Sequence, residues 1–193
     1  MVSGQPLDEY LAQRIFEPLK MVDTGFYVPE NKMNRFAQMY SPDGNGGIAP
    51  ADPNLSRNYV SPPTLFSGGG GLVSTASDYL RFCQMHLNGG KLDGTRILSR
   101  KTTELMSTDH LGDLQMGNGG YGFGLGFAVA KDMGRIGALG SVGEYNWGGA
   151  AGTKFWIDPE EEMIGIYMVQ ILPHTGLNYG VVFKNLAYQS IVD

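Results

Sequence analysis

Three histidines, one cysteine and a scatter of serines bound the chemistry this chain can do with its own side chains. Ser141 lies in Leu139-Gly140-Ser141-Val142-Gly143, one residue short of G-x-S-x-G. That pattern exposes a nucleophilic serine on a strand-to-helix turn. Here the residues after Ser141 read as a strand, so a turn serine is the plainer assignment. Partners for a Ser-His-Asp arrangement would have to come from His86, His110 or His174. Cys83-x-x-His86 could present a thiolate and an imidazole to a metal, yet two ligands are too few for a closed site. Cys83 also falls on an apolar helix face and reads as a core thiol. The string from Gly117 to Gly122 matches G-x-G-x-x-G, but its flanks are a loop and a strand where a dinucleotide fingerprint needs a strand and a helix. Gly68, Gly69, Gly70 and Gly71 lack the Gly-Lys-Ser/Thr of a phosphate loop and read as a tight backbone turn. Glu160, Glu161 and Glu162 read as a solvated turn. No metal and no cofactor is implied.

The most informative stretch runs over residues 146–159, with Asn146 and Trp147 followed by Gly148, Gly149, Ala150, Ala151 and Gly152. Small residues after a tryptophan let another molecule's backbone or acyl group come close, and exposed backbone N–H groups there can stabilise an oxyanion. A glycine-rich strand packed under a helix explains the same residues equally well.

Elements must hold this stretch in place. Residues 6–17 read as a helix, with Pro6 in the first turn, Asp8 and Glu9 complementing the dipole, and Pro18 as a stop. Residues 21–67 read as mostly loop, punctuated by Pro29, Pro42, Pro50, Pro53, Pro62 and Pro63. A loop that long in a compact domain wraps over something. Thr75-x-x-Asp78 opens a second helix with Ala76, Tyr79, Leu80, Cys83 and Leu87 on one face. Asn88, Gly89 and Gly90 supply its left-handed stop. A shorter helix over 101–106 follows a Ser99 cap. Residues 120–127 alternate glycine with Tyr121, Phe123, Leu125 and Phe127, a strand pattern. Residues 143–158 and 163–170 read as further strands around a turn at Asp158 and Pro159. Residues 179–191 read as an apolar-faced terminal helix. Helices and loops, then a strand meander, then a helix make the fold class α+β.

Composition narrows the partners. The 193 residues carry 14 Lys and Arg against 19 Asp and Glu, and the net charge of −5 argues against a nucleic-acid footprint. No apolar run approaches the ~18 residues of a membrane span. One cysteine excludes a disulfide framework within the chain. Glycine, 29 residues, is about twice its usual share.

The order of several motifs carries a resemblance. Val2-Ser3-Gly4-Gln5-Pro6-Leu7-Asp8, the run from Ile15 to Phe26, the run from Gly69 to Asp78, and Trp147-Gly148-Gly149 with Asp158-Pro159 resemble serine hydrolases related to class C β-lactamases. Within that superfamily the chain is most similar to the family VIII carboxylesterases, and the likeness covers essentially all of it. The resemblance implies a helical region and an antiparallel sheet flanked by helices, with the active site between them. Three motifs would build that site: Ser-x-x-Lys with the nucleophile, a tyrosine motif, and Lys-Thr-Gly or Trp-x-Gly. Only the third is present, as Trp147, Gly148 and Gly149, which would bind substrate. The backbone N–H of Ala150 would then be an oxyanion donor. His174-Thr175-Gly176 looks like a Lys-Thr-Gly variant but follows the last strand, and is rejected. No serine has a lysine three residues later.

The chain therefore reads as the C-terminal half of such a hydrolase, with Met1 an internal methionine. Residues 1–115 would be part of the helical and loop region, and 116–193 the antiparallel strands and C-terminal helix. The expected substrate of the completed enzyme is a small ester or β-lactam-like molecule. The missing N-terminal half would come in cis or in trans, and the chain alone would be inactive. The alternatives are a non-catalytic binding module and one chain of a split hydrolase. The compartment, cytoplasmic or exported, stays open, because the region that would decide it is not in this sequence.

Overall fold

The computed structural model describes residues 3–52, 59–114, 116–174, 176 and 178–192. Met1, Val2, Pro53 and Thr175, named above, lie outside them. α1 (Leu7–Leu11) runs directly into a π-helical turn (Ala12–Phe16), so the helix over 6–17 is present but widened in its second half. Phe16, Leu19 and Met21 bury themselves against Met85 and form one of two apolar clusters. The stretch at 21–67 is less bare than expected. It holds a 3-10 turn (Glu30–Arg35) and a ribbon of β1 (Tyr40–Pro42) and β2 (Ile48–Pro50). The ribbon is short, and Pro42 and Pro50 lie at the strand ends, where a missing N–H costs little, which is why they masked it.

α2 (Ala76–Leu87) begins as its sequence requires, with the Thr75 hydroxyl accepting from Asp78 N–H at 3.2 Å, a cap of about 1 kcal/mol. The Asp78 carboxylate has a longer reach. Buried, it accepts from Asp23 N–H at 2.6 Å and from the Thr24 hydroxyl at 2.9 Å, tying the end of the first segment to the start of α2. Gly89 and Gly90, both at positive φ, end the helix. A small hairpin, β3 (Lys91–Leu92) and β4 (Thr95–Arg96), and the Ser99-capped α3 (Arg100–Met106) follow.

The main sheet is an antiparallel meander in chain order: β5 (Tyr121–Phe123), β6 (Ala128–Ala130), β7 (Tyr145–Gly148), β8 (Lys154–Asp158) and β9 (Met163–Tyr167). A short α4 (Met133–Ile136) interrupts it, and α5 (Tyr179–Tyr188) ends the structure, three residues short of the sequence expectation. Two expected strands are hairpins instead. Residues 120–127 contain only β5 and a turn, with Gly126 at φ 102° and Gly124 N–H donating to Phe127 O at 2.8 Å. Residues 143–158 split into β7 and β8 around a tight turn.

Alternation along the strands gives the sheet two covered faces. On one, Phe127, Val129, Tyr145, Phe155 and Ile157 pack with Cys83, and Tyr79 and Phe82 of α2 close over them. On the other, Trp156 lies against Phe183 and Tyr188 of α5. Gly165 on β9 lets the Trp156 ring lie flat, since a Cβ there would come within 2.0 Å of it. β9 has a strand neighbour on one side only among the described residues.

Candidate active site

Register places the tryptophan. Tyr145 stands opposite Ile157 and Trp147 opposite Phe155, so Trp147 shares the α2 face with the buried Tyr145. α2 does not reach over it. Trp147 stays 47% exposed, with its ring meeting only Phe123 edge-on at 5.2 Å among the aromatic groups.

The turn after it is held by a dense set of bonds. Gly149 N–H donates to Thr153 O at 2.9 Å and Gly152 N–H to Gly149 O at 3.0 Å, closing a four-residue turn around Ala150 and Ala151. Ile171 N–H donates to Ala151 O at 3.0 Å, and His174 Nδ1 lies 2.9 Å from Ala150 O. A Cβ at 149 would strike the Thr153 hydroxyl at 2.4 Å, and one at 152 would press Val169 and His174 at 3.0 and 3.2 Å. The small residues are therefore required by packing. Trp147, Gly148, Gly149 and Ala150 are all exposed, and the N–H groups of Ala150 and Ala151 have no hydrogen-bond partner among the described residues. The turn thus carries two unpaired amide donors, three and four residues after an exposed tryptophan.

The other candidates separate. His86 is buried among Phe82, Phe127 and Tyr145, and neither ring nitrogen has a partner among the described residues. His110 Nε2 bonds Leu105 O. With His174 engaged at Ala150, no described histidine bonds Ser141, and the serine contributes its carbonyl to Glu144 N–H in the turn before β7. Cys83 is fully buried, and burial pushes its thiol up to about 12. No group of three His, Cys, Asp or Glu side chains placed to hold a metal occurs among the described residues. The glycines at 117–122 lead into β5, as the flanks required.

Two features escaped the sequence reading. A groove open to solvent runs along residues 22–29 with Lys32, Arg35, Phe36 and Val73 on its walls. Beside it Arg35 and Lys32 clamp Asp23 and hold its carboxyl at about 2. Behind the sheet, Glu144 and Asp158 are fully buried with Lys184 and Tyr188. Lys184 Nζ lies 2.6 Å from Glu144 Oε2, and the Tyr188 hydroxyl lies 2.9 Å from Glu144 and 2.6 Å from Asp158. Burial, opposed by Lys184, holds the Glu144 carboxyl above its ordinary value. Each pair joins residues 30 or more apart in sequence, beyond any local pattern.

The family model described as Beta-lactamase matches residues 1–179. Protein Rv1367c of Mycobacterium tuberculosis is 37% identical over 183 residues, covering 89% of this chain and 45% of its own length. Among solved structures, EstCE1, a hydrolase with promiscuous acyltransferase activity, superposes with a TM-score of 0.78 at 24% identity, over 97% of this chain and 52% of that one. A penicillin-binding protein homologue from Caulobacter crescentus superposes with a TM-score of 0.69 at 19% identity, over 98% and 54%. The chain thus spans about half the length of the relatives it matches. Its helices, five-stranded antiparallel sheet and terminal helix share the β-lactamase/transpeptidase-like fold of these structures, and the chain belongs to the Beta-lactamase family of hydrolases.

Proposed function

We propose that this chain is the C-terminal half of a serine esterase acting on short acyl esters through an acyl-serine intermediate. In this reading residues 1–115 belong to the helical region and 116–193 to the sheet and its last helix, with α2 as the contact between them. The carrying observation is the turn at 149–152, whose free Ala150 N–H sits beside the exposed Trp147. A serine and base on the missing half, in cis or in trans, would attack the ester carbonyl. Ala150 N–H would then meet the developing oxyanion, while Trp147, Gly148 and Gly149 line the acyl side. A lysine at the tryptophan's position would favour a carboxylate-bearing β-lactam. Its replacement by Trp147 supports a neutral ester.

The test is hydrolysis of p-nitrophenyl esters and labelling by a fluorophosphonate probe. Both are measured on the chain alone and on the chain joined or mixed with an N-terminal half carrying Ser-x-x-Lys. The chain alone gives neither signal, and the completed protein gives both. Stoichiometric labelling of a serine in the isolated chain would refute the proposal. A completed protein that binds esters without turnover would establish the binding module instead.

A further inference from the structure

Among the described residues, His174 is the side chain that bonds the Ala150 carbonyl of the turn at 149–152, 24 residues later in the chain and after β8 and β9. Because a peptide group is planar, fixing one of its ends fixes the other. The peptide joining residues 149 and 150 carries Gly149 O and Ala150 N–H, and Gly152 N–H holds it. The next peptide carries Ala150 O and Ala151 N–H, and His174 holds that one. Ala150 is therefore clamped between two oriented planes, and releasing the second frees its ψ angle and the Ala151 amide together. A carbonyl accepts only, so His174 Nδ1 carries a proton, and in the neutral ring Nε2 is the bare nitrogen. The anchor has its own support. Tyr40 N–H donates to Gln170 O at 2.9 Å, Leu172 N–H to Tyr40 O at 2.8 Å and the Ser41 hydroxyl to Leu172 O at 2.6 Å, so β1 braces the segment leading to His174.

We infer that His174 is a positioning residue: its Nδ1–H, bonded to Ala150 O, holds the turn so that the Ala150 and Ala151 amides stay aimed at the substrate's developing oxyanion. This rests on the proposed esterase reading for what the amides meet. The bond itself can be tested without it.

Two experiments separate these. On the 193-residue chain, ¹⁵N-resolved NMR of the imidazole shows the neutral ring protonated at Nδ1, and His174→Ala speeds hydrogen exchange at Gly152, whose bond closes the same turn. A ring protonated at Nε2, or unchanged exchange, overturns the inference. On the completed protein, His174→Ala lowers kcat by roughly 10- to 100-fold with KM nearly unchanged, as expected when a donor is misplaced and not deleted. His174→Asn, whose amide nitrogen can take the place of Nδ1, restores most of the rate. His174→Gln, which reaches the position of Nε2, does not. Asparagine no better than alanine, or a loss confined to KM, overturns it. A completed wild-type protein with no turnover counts against the esterase reading alone, and the imidazole and exchange data then decide for His174.

Discussion

Acidification should destabilise this chain through one histidine. His86 is 2% exposed, ringed by Phe82, Phe127 and Tyr145 with centroids 4.8, 5.2 and 6.4 Å away, and both its nitrogens lack a partner among the described residues. Its ionisable neighbours, Cys83 and Tyr145, are both pushed up by burial and stay neutral, so nothing nearby compensates an imidazolium. Burial accordingly lowers its pKa from 6.5 to about 4. The unfolded chain takes up the proton first as pH falls. The stability His86 contributes is therefore complete above pH 6.5 and fades between 6.5 and about 4. A gap of about 2.5 units, at about 1.4 kcal/mol each, corresponds to about 3 kcal/mol, most of it lost between pH 7.5 and 4.5. Urea unfolding of wild type and His86→Phe at those two pH values measures it. The phenyl ring suits the aromatic surroundings and removes two buried unpartnered nitrogens, so the variant gains about 1 kcal/mol at neutral pH. Asp23 and Asp109, held at about 2 by Arg35 with Lys32 and by Lys131, also titrate in acid, but equally in both proteins, and the double difference removes them. A pH slope as steep in His86→Phe as in wild type would refute the reasoning.

Two further outcomes follow from the buried groups. Lys184→Met strands the fully buried Glu144 carboxylate and costs about 3–5 kcal/mol in urea unfolding, while adding Glu144→Gln recovers most of it. A single variant as stable as wild type would show that the pair is not what holds α5 to β7. Cys83, fully buried with its thiol pushed up to about 12, reacts with Ellman's reagent only as the chain unfolds. Rapid stoichiometric reaction in buffer would remove it from the core.

What could be read from the sequence was what local chemistry dictates. Thr75 and Ser99 cap their helices because a side-chain oxygen two or three residues before a free N–H can do little else, and Gly89 and Gly90 stop α2 for an equally local reason. The string at 120–127 misled because glycine alternation describes a strand and a hairpin equally, and only the bond from Gly124 to Phe127 decides. At the candidate site, residues 147–150 were visible because tryptophan followed by small residues is unusual. His174 was not. Its contact with Ala150 exists only once β8 and β9 have brought the chain back. The set of Glu144, Asp158, Lys184 and Tyr188 was hidden for the same reason. In α5, Phe183 and Tyr188 of the expected apolar face pack on Trp156, but Lys184 is buried with them while Val182 and Leu186 stay exposed.

The exposed residues of α5 bear on what packs against this chain. An amphipathic helix on an isolated domain buries its apolar stripe. α5 buries Gly180, Lys184 and Tyr188 and leaves Val182 52% and Leu186 60% exposed, one turn apart on the same face, with Tyr179 and Phe183 beside them. Trp147, Leu125 and Val142 form further apolar exposure around the sheet, whose last strand, β9, has an open edge among the described residues. Contiguous apolar surface of this kind marks a place where something else packs. A self-sufficient binding module would need one such surface for its ligand. This chain has an exposed tryptophan beside free amides, an apolar outer helix face and an open strand edge, on opposite sides of one sheet. In the proposed reading, a second half that packs on the outer face of α5, on the β9 edge and beside Trp147 would account for all three.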